Sequence, residues 1–513
     1  NGGHVIVCGL GRKGARLVEH LRKMGKRVVV IEPDEQNANV AHCRELGCYI
    51  VSGRANDPWN LQEAHLRGAD LLITVAGDDG ANIETAVRAH DLIEQAGRKR
   101  ALRCVTHVSD PNLQNVFRRH EVYTDENDPF ELELFNVFET AARVMLREAG
   151  AFDLLAARGA EDSHLLIIGL GRLGRAVLLR VLKDWEVENA DRRRLRVTVI
   201  DTAANERRAA FEQRYPGLLD VADVTFVTLD IHDAEISAGR FLQNNAGNQL
   251  PQAAFVCLDD DSQSLYAALT VRAMIPDDVP IVVRMSEEAG LATVLGVTQE
   301  RDGCITGVKA VGLLDIACSL ELVLGGTREV LAQAIHHGYV CDQLAAGASV
   351  DDNPALAPWH RLSEEFKQSN RHQADHIREK LDLINCELVQ RPGYPLVLLE
   401  FTDEEVERLA QVEHARWLKQ RSADGWKYGP EKDVERKINP LLIGWHELPE
   451  SAKKYNRDAV RRIPQVLAKA DLEIRRVLEP DTTSEAEIAL NGIAKILGRK
   501  REESAANTLR RAA

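Results

Sequence analysis

The chain has 513 residues, 44% of them hydrophobic, and a formal net charge of −14. That length implies several domains, since one domain usually holds roughly 100–200 residues. The acidic excess runs along the chain and argues against a general nucleic-acid binder, which needs a basic footprint. Nine cysteines without a CxxC pair point to reduced thiols, not to a disulfide framework or a structural zinc site.

The first element is a short apolar strand, Val5 to Cys8, followed by Gly9-Leu10-Gly11-Arg12-Lys13-Gly14. Gly9 suits the tight turn, Gly11 lets the backbone approach a pyrophosphate, and Gly14 lets helix pack on strand. Leu17, Val18 and Leu21 then recur at helical spacing. Val28 to Ile31 is a second strand that ends at Glu32, an acid placed to hold ribose hydroxyls and to disfavour a 2′-phosphate. Strand–GxGxxG–helix–strand–acid is a dinucleotide-binding, Rossmann-like pattern, and the helix starting after Gly11 aims free N–H groups at phosphate.

The alternation continues. Tyr49 to Val51 leads into Gly53-Arg54, Leu71 to Val75 leads into Asp78-Asp79, and Cys104 to His107 is a further strand. Alternating strands and helices imply a parallel sheet with right-handed crossovers. Phe130 to Glu148 reads as an amphipathic helix, within a helical linker over 130–160 that packs two folds together.

A second copy then begins. His164 to Ile168 precedes Gly169-Leu170-Gly171-Arg172-Leu173-Gly174, and Val197 to Ile200 ends at Asp201. A charged insert, Val187 to Leu195, has no counterpart in the first copy. Val224 to Leu229 ends at Asp230, and Phe255 to Leu258 runs into Asp259-Asp260-Asp261.

Both halves resemble the NAD-binding domain of Trk-type potassium uptake proteins and of RCK modules, which regulate potassium-channel conductance. The shared features are the strand-GLGRxG motif, the second-strand acid, and a fourth strand running into an acidic pair. The resemblance carries cofactor contact onto Gly9, Gly11, Arg12, Gly14, Glu32 and Asp79, and onto Gly169, Gly171, Arg172, Gly174 and Asp201. It implies NAD(H) or another adenine nucleotide as ligand. The family's Gly-Asp after the third strand is here Gly53-Arg54 and Leu229-Asp230, a departure that touches the adenine side.

The fold class expected is thus α/β: two tandem Rossmann-like parallel-sheet domains, over 1–129 and 161–310, followed by two mainly α-helical repeats. The apolar stretch from Ile305 to Gly326 contains Lys309, Asp315 and Glu321, too charged for a lipid-facing span. It reads as a buried or crossover helix, placed over 311–327.

The rest is a duplication. Asn353 to Leu388 aligns without a gap to Asn439 to Ile474, at an offset of 439 − 353 = 86, with 13 identities over 36 positions. Upstream, Leu331-Ala332-Gln333 and His336 match Leu409-Ala410-Gln411 and His414 at an offset of 78. Each unit, 328–390 and 403–478, reads as helix, Asn-Pro loop, helix. A charged tail, 479–513, reads as a solvated end.

The second unit resembles the RyR domain, the repeat named after ryanodine receptors. The resemblance rests on His414, Trp417, Arg421, Gly425-Trp426, Tyr428-Gly429-Pro430, Asp433, Lys437, Pro440-Leu441, Leu448-Pro449 and Asn456-Arg457. The first unit lacks the Gly-Trp-x-Tyr-Gly loop. Trp359 and Trp445, shared by both units, read as packing residues. The candidates for a small ligand are Trp417, Arg421, Trp426, Tyr428, Lys437 and Arg457: aromatic rings to stack on a base and cations to meet a phosphate. A protein–protein contact fits the same loop.

No HExxH, GxSxG or Walker A pattern appears, so no catalytic residue is assigned. His372 and His376 have metal-compatible spacing, but Asp458 and Arg462 replace them in the other unit, and a solvated helix face is the simpler reading. An NAD(P)-dependent oxidoreductase would need a substrate domain that the repeats do not resemble. The reading is a nucleotide-sensing module of a potassium channel or transporter, in the cytoplasm or on the cytoplasmic face of the membrane, binding no nucleic acid and forming a homodimer or larger oligomer. Its pore would lie upstream in the same chain or in a separate subunit; the chain begins at Asn1, not Met, which leaves room for a membrane segment before it. The alternative is a soluble signalling protein that reads a nucleotide messenger and recruits a partner through its RyR-like units.

Overall fold

The computed structural model describes residues 3–98, 100–110, 113–114, 129–150, 162–188, 194–237, 239, 250–286, 307–313, 320–349, 353–390, 396–431, 433 and 436–477. Residues 189–193 of the charged insert and the tail from 479 lie outside them.

Two six-stranded parallel sheets share one topology. β1 (His4–Cys8), β2 (Val28–Glu32), β3 (Tyr49–Ser52), β4 (Ala69–Thr74), β5 (Leu102–His107) and β6 (Phe130–Phe135) lie in the order β3-β2-β1-β4-β5-β6. β7 (Asp162–Ile168), β8 (Arg194–Asp201), β9 (Asp223–Thr228), β10 (Ala253–Val256), β11 (Ile281–Met285) and β12 (Val308–Gly312) repeat it as β9-β8-β7-β10-β11-β12. The crossovers of the first sheet carry α1 (Arg12–Lys23), α2 (Ala38–Glu45), α3 (Pro58–Glu63) and α4 (Asp79–Ala96). Val5 and Val7 face one core with Leu17 and Leu21, whereas Ile6 and Cys8 face another with Ala86 and Ile93. Burial on both faces is why these strands read as unbroken apolar runs.

One element differs from the sequence expectation. Phe130–Phe135 does not begin a helix over 130–148; it is edge strand β6, paired with β5 from Leu102↔Phe130 to His107↔Phe135. Its Phe-Glu-Leu-Glu-Leu-Phe pattern alternates with period two, and β5 offers it an open edge. Asn136 then caps α5 (Val137–Glu148), its side chain accepting from Phe138 N at 2.9 Å. The same correction holds in the second copy. β12 takes 308–312 out of the apolar stretch read as helix, so the first and second sheets extend past 129 and 310.

The second sheet carries α6 (Arg172–Glu188), α7 (Ala204–Arg214), α8 (Ala234–Ser237) and α9 (Asp261–Arg272), and leads to α10 (Leu320–Ala345), kinked at Gly326. The two copies exchange helices. α5, from the first copy, places Ala141, Val144 and Met145 in the second core beside Leu173 and Val177. α10, from the second, returns to touch α1 and β6. Leu313 packs on both cores, and Arg214 Nη2 donates to Asp110 Oδ1 at 2.7 Å across the junction.

The helical repeats share a single core. α11 (Glu364–Asp375), α12 (Ile377–Asp382) and strand β13 (Cys386–Gln390) follow α10. α13 (Asp403–Ala423), α14 (Glu450–Arg461), α15 (Ile463–Lys469) and β14 (Leu472–Arg476) complete the second unit. Ile377, Leu381, Ile463 and Leu467, the i,i+4 pairs of the sequence, are at most 4% exposed and meet in this core with Leu331 and Leu409. β13 and β14 pair antiparallel, which joins the repeats about a pseudo-two-fold.

Candidate nucleotide sites

The two glycine-rich loops are built alike. Gly9 has φ +93° and Gly169 +88°, a turn that glycine adopts without strain. A Cβ on Gly14 would lie 2.0 Å from Gly9 O, and one on Gly174 1.8 Å from Gly169 O, so these glycines let the first helix press on the loop. Gly11 is different. Its φ of −64° suits any residue, and a Cβ there would meet nothing within 4 Å. A Cβ on Gly171 would meet only Asp259 Oδ2, at 3.9 Å. Protein packing does not demand glycine at these two positions, and the space beside them is open to the close approach of another group. No side chain caps α1 at Gly11, so the N–H groups of its first turn stay open to an anion. Arg12 and Arg172, the first residues of α1 and α6, are exposed beside them.

The second-strand acids brace the loops. Glu32 is buried and accepts from Leu10 N at 2.6 Å and from Asp34 N at 3.1 Å. Asp201, also buried, accepts from Leu170 N at 2.6 Å and Ala203 N at 2.8 Å. Arg207, which sequence reasoning missed, adds Nη1 to Asp201 Oδ2 at 2.5 Å. In the first copy the comparable groups are Asn37 and Asn39, whose amides donate to Leu10 O at 3.2 and 3.0 Å.

Asp79 stands at the start of α4, and its carboxylate is engaged by the backbone N–H groups of Ser109 (2.9 Å) and Asp110 (2.8 Å) and by the Ser109 hydroxyl. Burial raises its pKa, and these hydrogen bonds outweigh burial to leave it lowered. Asp261 repeats the latch with Ser286 N and Oγ and Arg284 Nη1, each at 3.0 Å. Both therefore clasp the end of the fifth strand of their sheet. Beside Asp79, the buried His107 ring lies 3.2 Å from Lys13 Nζ. Burial pushes its pKa down to about 3, helped by the Lys13 and Arg172 charges and opposed by Asp79.

In the RyR-like half, the six expected ligand residues separate. Arg457 belongs to a structural clamp: Nε donates to Glu407 Oε2 at 2.6 Å and Nη1 to Glu450 Oε2 at 2.9 Å, while Trp445 Nε1 donates to Glu407 Oε1 at 3.2 Å. The first unit repeats it with Arg371, Glu329 and Trp359, at 2.7 Å (Arg371 Nε to Glu329 Oε2) and 3.1 Å (Trp359 Nε1 to Glu329 Oε1). Glu329 and Glu407 differ by 78, the offset of the upstream segment, so the signal was present in the sequence. Trp417 stacks on His414 at 5.8 Å, and Lys437 Nζ donates to Asp424 O at 2.8 Å. Arg421 lies over the Trp426 ring at 5.1 Å while its Nη1 reaches Glu365 Oε1 of the first unit at 2.8 Å. Two groups keep unspent capacity. The Trp426 indole N–H has no partner among the described residues, and Tyr428 is 63% exposed.

Tandem parallel sheets, each with a GxGxxG loop braced by a strand-end acid, define a protein of the dinucleotide-binding α/β class with a helical domain appended. The TrkA-N domain family matches residues 5–125 and the RyR domain family matches 396–476, so the chain carries a TrkA-N domain and an RyR domain. It is similar to the Trk system potassium uptake protein TrkA of Halomonas elongata, 28% identical over 109 residues, covering 21% of this chain and 24% of that protein. It also resembles the TrkA homologs of Pyrococcus abyssi (25% over 161 residues, 29% and 66%) and Methanothermobacter thermautotrophicus (27% over 117 residues, 23% and 50%). The chain thus spans less than two thirds of each of these relatives. Among solved structures, GsuK bound to ADP aligns at 18% identity and TM-score 0.41, covering 63% of this chain and 69% of that one. The GsuK channel bound to NAD aligns at 15% identity and TM-score 0.40, covering 63% and 64%. Among the described residues, no helix is long and apolar enough to cross a membrane.

Proposed function

We propose that this chain is the nucleotide-sensing regulatory part of a potassium channel or transporter, acting at the cytoplasmic face of the membrane. The observation that carries this reading is Gly11, a glycine that neither backbone conformation nor packing requires, at the open end of a helix. NAD(H) or another adenine nucleotide would lay its pyrophosphate there, against the first-turn N–H groups and Arg12, with its ribose toward Glu32. Similarity of the first copy to Trk potassium uptake proteins supports potassium transport as the process served. The pore would stand upstream in the same chain or in a separate subunit, within a homodimer or larger oligomer.

Regulation would be a population shift: nucleotide binds one domain arrangement more tightly, and the difference biases the gate. The RyR domain would read a second small ligand at Trp426 and Tyr428, a reading supported by a buried indole N–H that has no partner among the described residues and by the exposure of Tyr428. That same donor favours a second reading, a signalling protein whose RyR domain reads a nucleotide messenger.

Hydrogen exchange on the full chain, with NAD⁺, NADH, ATP or ADP, tests the proposal. One nucleotide should slow exchange at residues 9–14 and also change it at a distance, at 463–471, with both effects gone in Gly11→Val. Protection confined to the loop would make the chain a binder without sensor function, and changes confined to 424–438 would favour the messenger reading.

A further inference from the structure

The two loops match, but the residues around the ribose and base ends do not. Strand pairing places Ser52 beside Glu32 and Thr228 beside Asp201, so positions after β3 and β9 correspond: Asn56 to His232, each four residues on. α4 and α9 begin at Asp79 and Asp261, so Glu84 corresponds to Tyr266, each five residues on. In the first copy this pair is polar, with Asn56 Nδ2 donating to Glu84 Oε2 at 2.8 Å. In the second copy it is aromatic, the His232 and Tyr266 rings lying 4.6 Å apart with both residues exposed. The loop bearing His232 is tied to the ribose acid, since Leu229 N donates to Asp201 O at 3.3 Å. The nearby carboxylates are turned into that loop: Asp230 accepts from His232 N at 2.9 Å, and Asp233 accepts from Asp230 N at 2.8 Å.

The acids differ as well. Among the described residues no cation pairs with Glu32, whose two oxygens accept from Leu10 N and Asp34 N. Asp201 accepts from Leu170 N, Ala203 N and Arg207. A carboxylate has about four acceptor positions, so Asp201 keeps little capacity for a ribose hydroxyl. It also carries a guanidinium that cancels its charge. Arg207 is 41% exposed and gives Nη1 to Asp201, which leaves other N–H donors facing solvent. A planar guanidinium with free donors is suited to phosphate oxygens, and an arginine beside the second-strand position is what accommodates a 2′-phosphate in dinucleotide folds.

We propose that the second copy takes an adenine dinucleotide phosphorylated on its ribose 2′ oxygen, with the phosphate on Arg207 and the base against His232 and Tyr266, whereas the first copy takes an unphosphorylated ribose. This rests on the reading that both glycine-rich loops bind nucleotide. The two copies then report two different pools of ligand within one chain.

NAD⁺ and NADP⁺ differ only in that phosphate. Calorimetric titration of the full chain in a Gly11→Val background, which leaves the second loop intact, reads the second copy alone. NADP⁺ should bind at least tenfold more tightly than NAD⁺. Arg207→Ala should remove the preference by weakening NADP⁺ while NAD⁺ stays the same or tightens, since Asp201 regains an acceptor position and its charge, and Arg207→Lys should keep part of the preference. Tyr266→Ala should weaken both ligands by the same factor. Equal or tighter binding of NAD⁺, or tightening of both ligands by Arg207→Ala without a change in their ratio, would overturn the assignment while leaving the second copy a nucleotide site. No Gly171-dependent binding of either ligand would remove that underlying reading, and the assignment with it.

Discussion

Lys183 Nζ lies 2.6 Å from Asp471 Oδ1, so the helix that begins at the second glycine-rich loop also grips the RyR-like domain. Around this pair, Arg143 Nη2 and Arg180 Nη1 both donate to Lys469 O, at 3.1 and 2.9 Å, and Arg180 is held by Asp184. Two guanidinium groups on the last carbonyl of α15 complement the negative end of that helix. α6 has 17 residues and is therefore about 25 Å long. One rigid element thus joins a candidate phosphate site to the helical domain.

The ion pair is largely buried, with both side chains 12% exposed. Breaking it should remove the closest of three cations that face Asp471, with Arg143 and Arg180 remaining nearby, at a cost of about 1.5–3 kcal/mol, the range for a hydrogen bond to a charged group. Lys183→Met should lower the thermal midpoint sharply, and adding Asp471→Asn should recover much of the loss. Asn is the suitable partner change because residue 471 has φ +60°. Simple addition of the two losses would show that the residues act independently.

The two kinds of glycine should separate in experiment. Gly14→Ala or Gly174→Ala forces a methyl against a carbonyl oxygen and should destabilise by about 1–3 kcal/mol, the usual range for overpacking. Gly11→Ala should fall within about 0.5 kcal/mol of wild type in the absence of nucleotide, as ordinary surface changes do, yet weaken nucleotide binding. Thermal unfolding with and without ligand checks both. Equal destabilisation at 11 and 14 would contradict the assignment of Gly11 to ligand approach.

His107 gives the fold a pH dependence. Burial, reinforced by Lys13, holds its folded pKa at about 3, against roughly 6.5 when unfolded. Between these values the unfolded chain binds more protons. Its contribution to stability is therefore complete above pH of about 6.5 and is lost as pH falls toward 3, by up to about 1.4 kcal/mol per pH unit. The difference in stability between wild type and His107→Gln, measured from pH 7 to 4, should fall along that slope. A flat difference would mean that the ring takes up its proton at the same pH in the folded and unfolded chain.

Arg457 is predicted to act like Arg371, as a clamp between Glu407 and the start of α14. Arg457→Ala should lower the thermal midpoint less than Arg371→Ala, since its side chain is 24% exposed against 12%. Loss of small-ligand binding without any loss of stability in Arg457→Ala would return that residue to the ligand site.

Much of this architecture was legible because it is duplicated. The glycine loops, the strand-end acids and the repeat offsets of 86 and 78 are patterns of spacing, and the structure places Gly9/Gly169, Glu32/Asp201 and Trp359/Trp445 in matching positions. β6 was missed because Val137 to Glu148 is strongly amphipathic, and that helical period overran the short period-two segment before it. Glu329 was missed although its offset of 78 from Glu407 repeats that of the flanking Leu-Ala-Gln segment; Arg207 was missed for another reason. It acts on Asp201 across a turn, and an isolated Arg carries no spacing signal. Arg457 looked like a ligand residue because motif identity cannot tell a cation that faces solvent from one already claimed by Glu407.

The most direct test is calorimetric titration of NAD⁺, NADH, ATP and ADP into the wild-type chain and into Gly11→Val, with thermal unfolding beside it. At least one of these nucleotides should bind wild type and stabilise it by roughly 2.7 kcal/mol at about 100 times its dissociation constant, and Gly11→Val should lose this binding while unfolding at the wild-type midpoint without ligand. Unchanged affinity in Gly11→Val, or no binding of any of the four to the wild-type chain, would contradict the claim that the first glycine-rich loop is a nucleotide sensor.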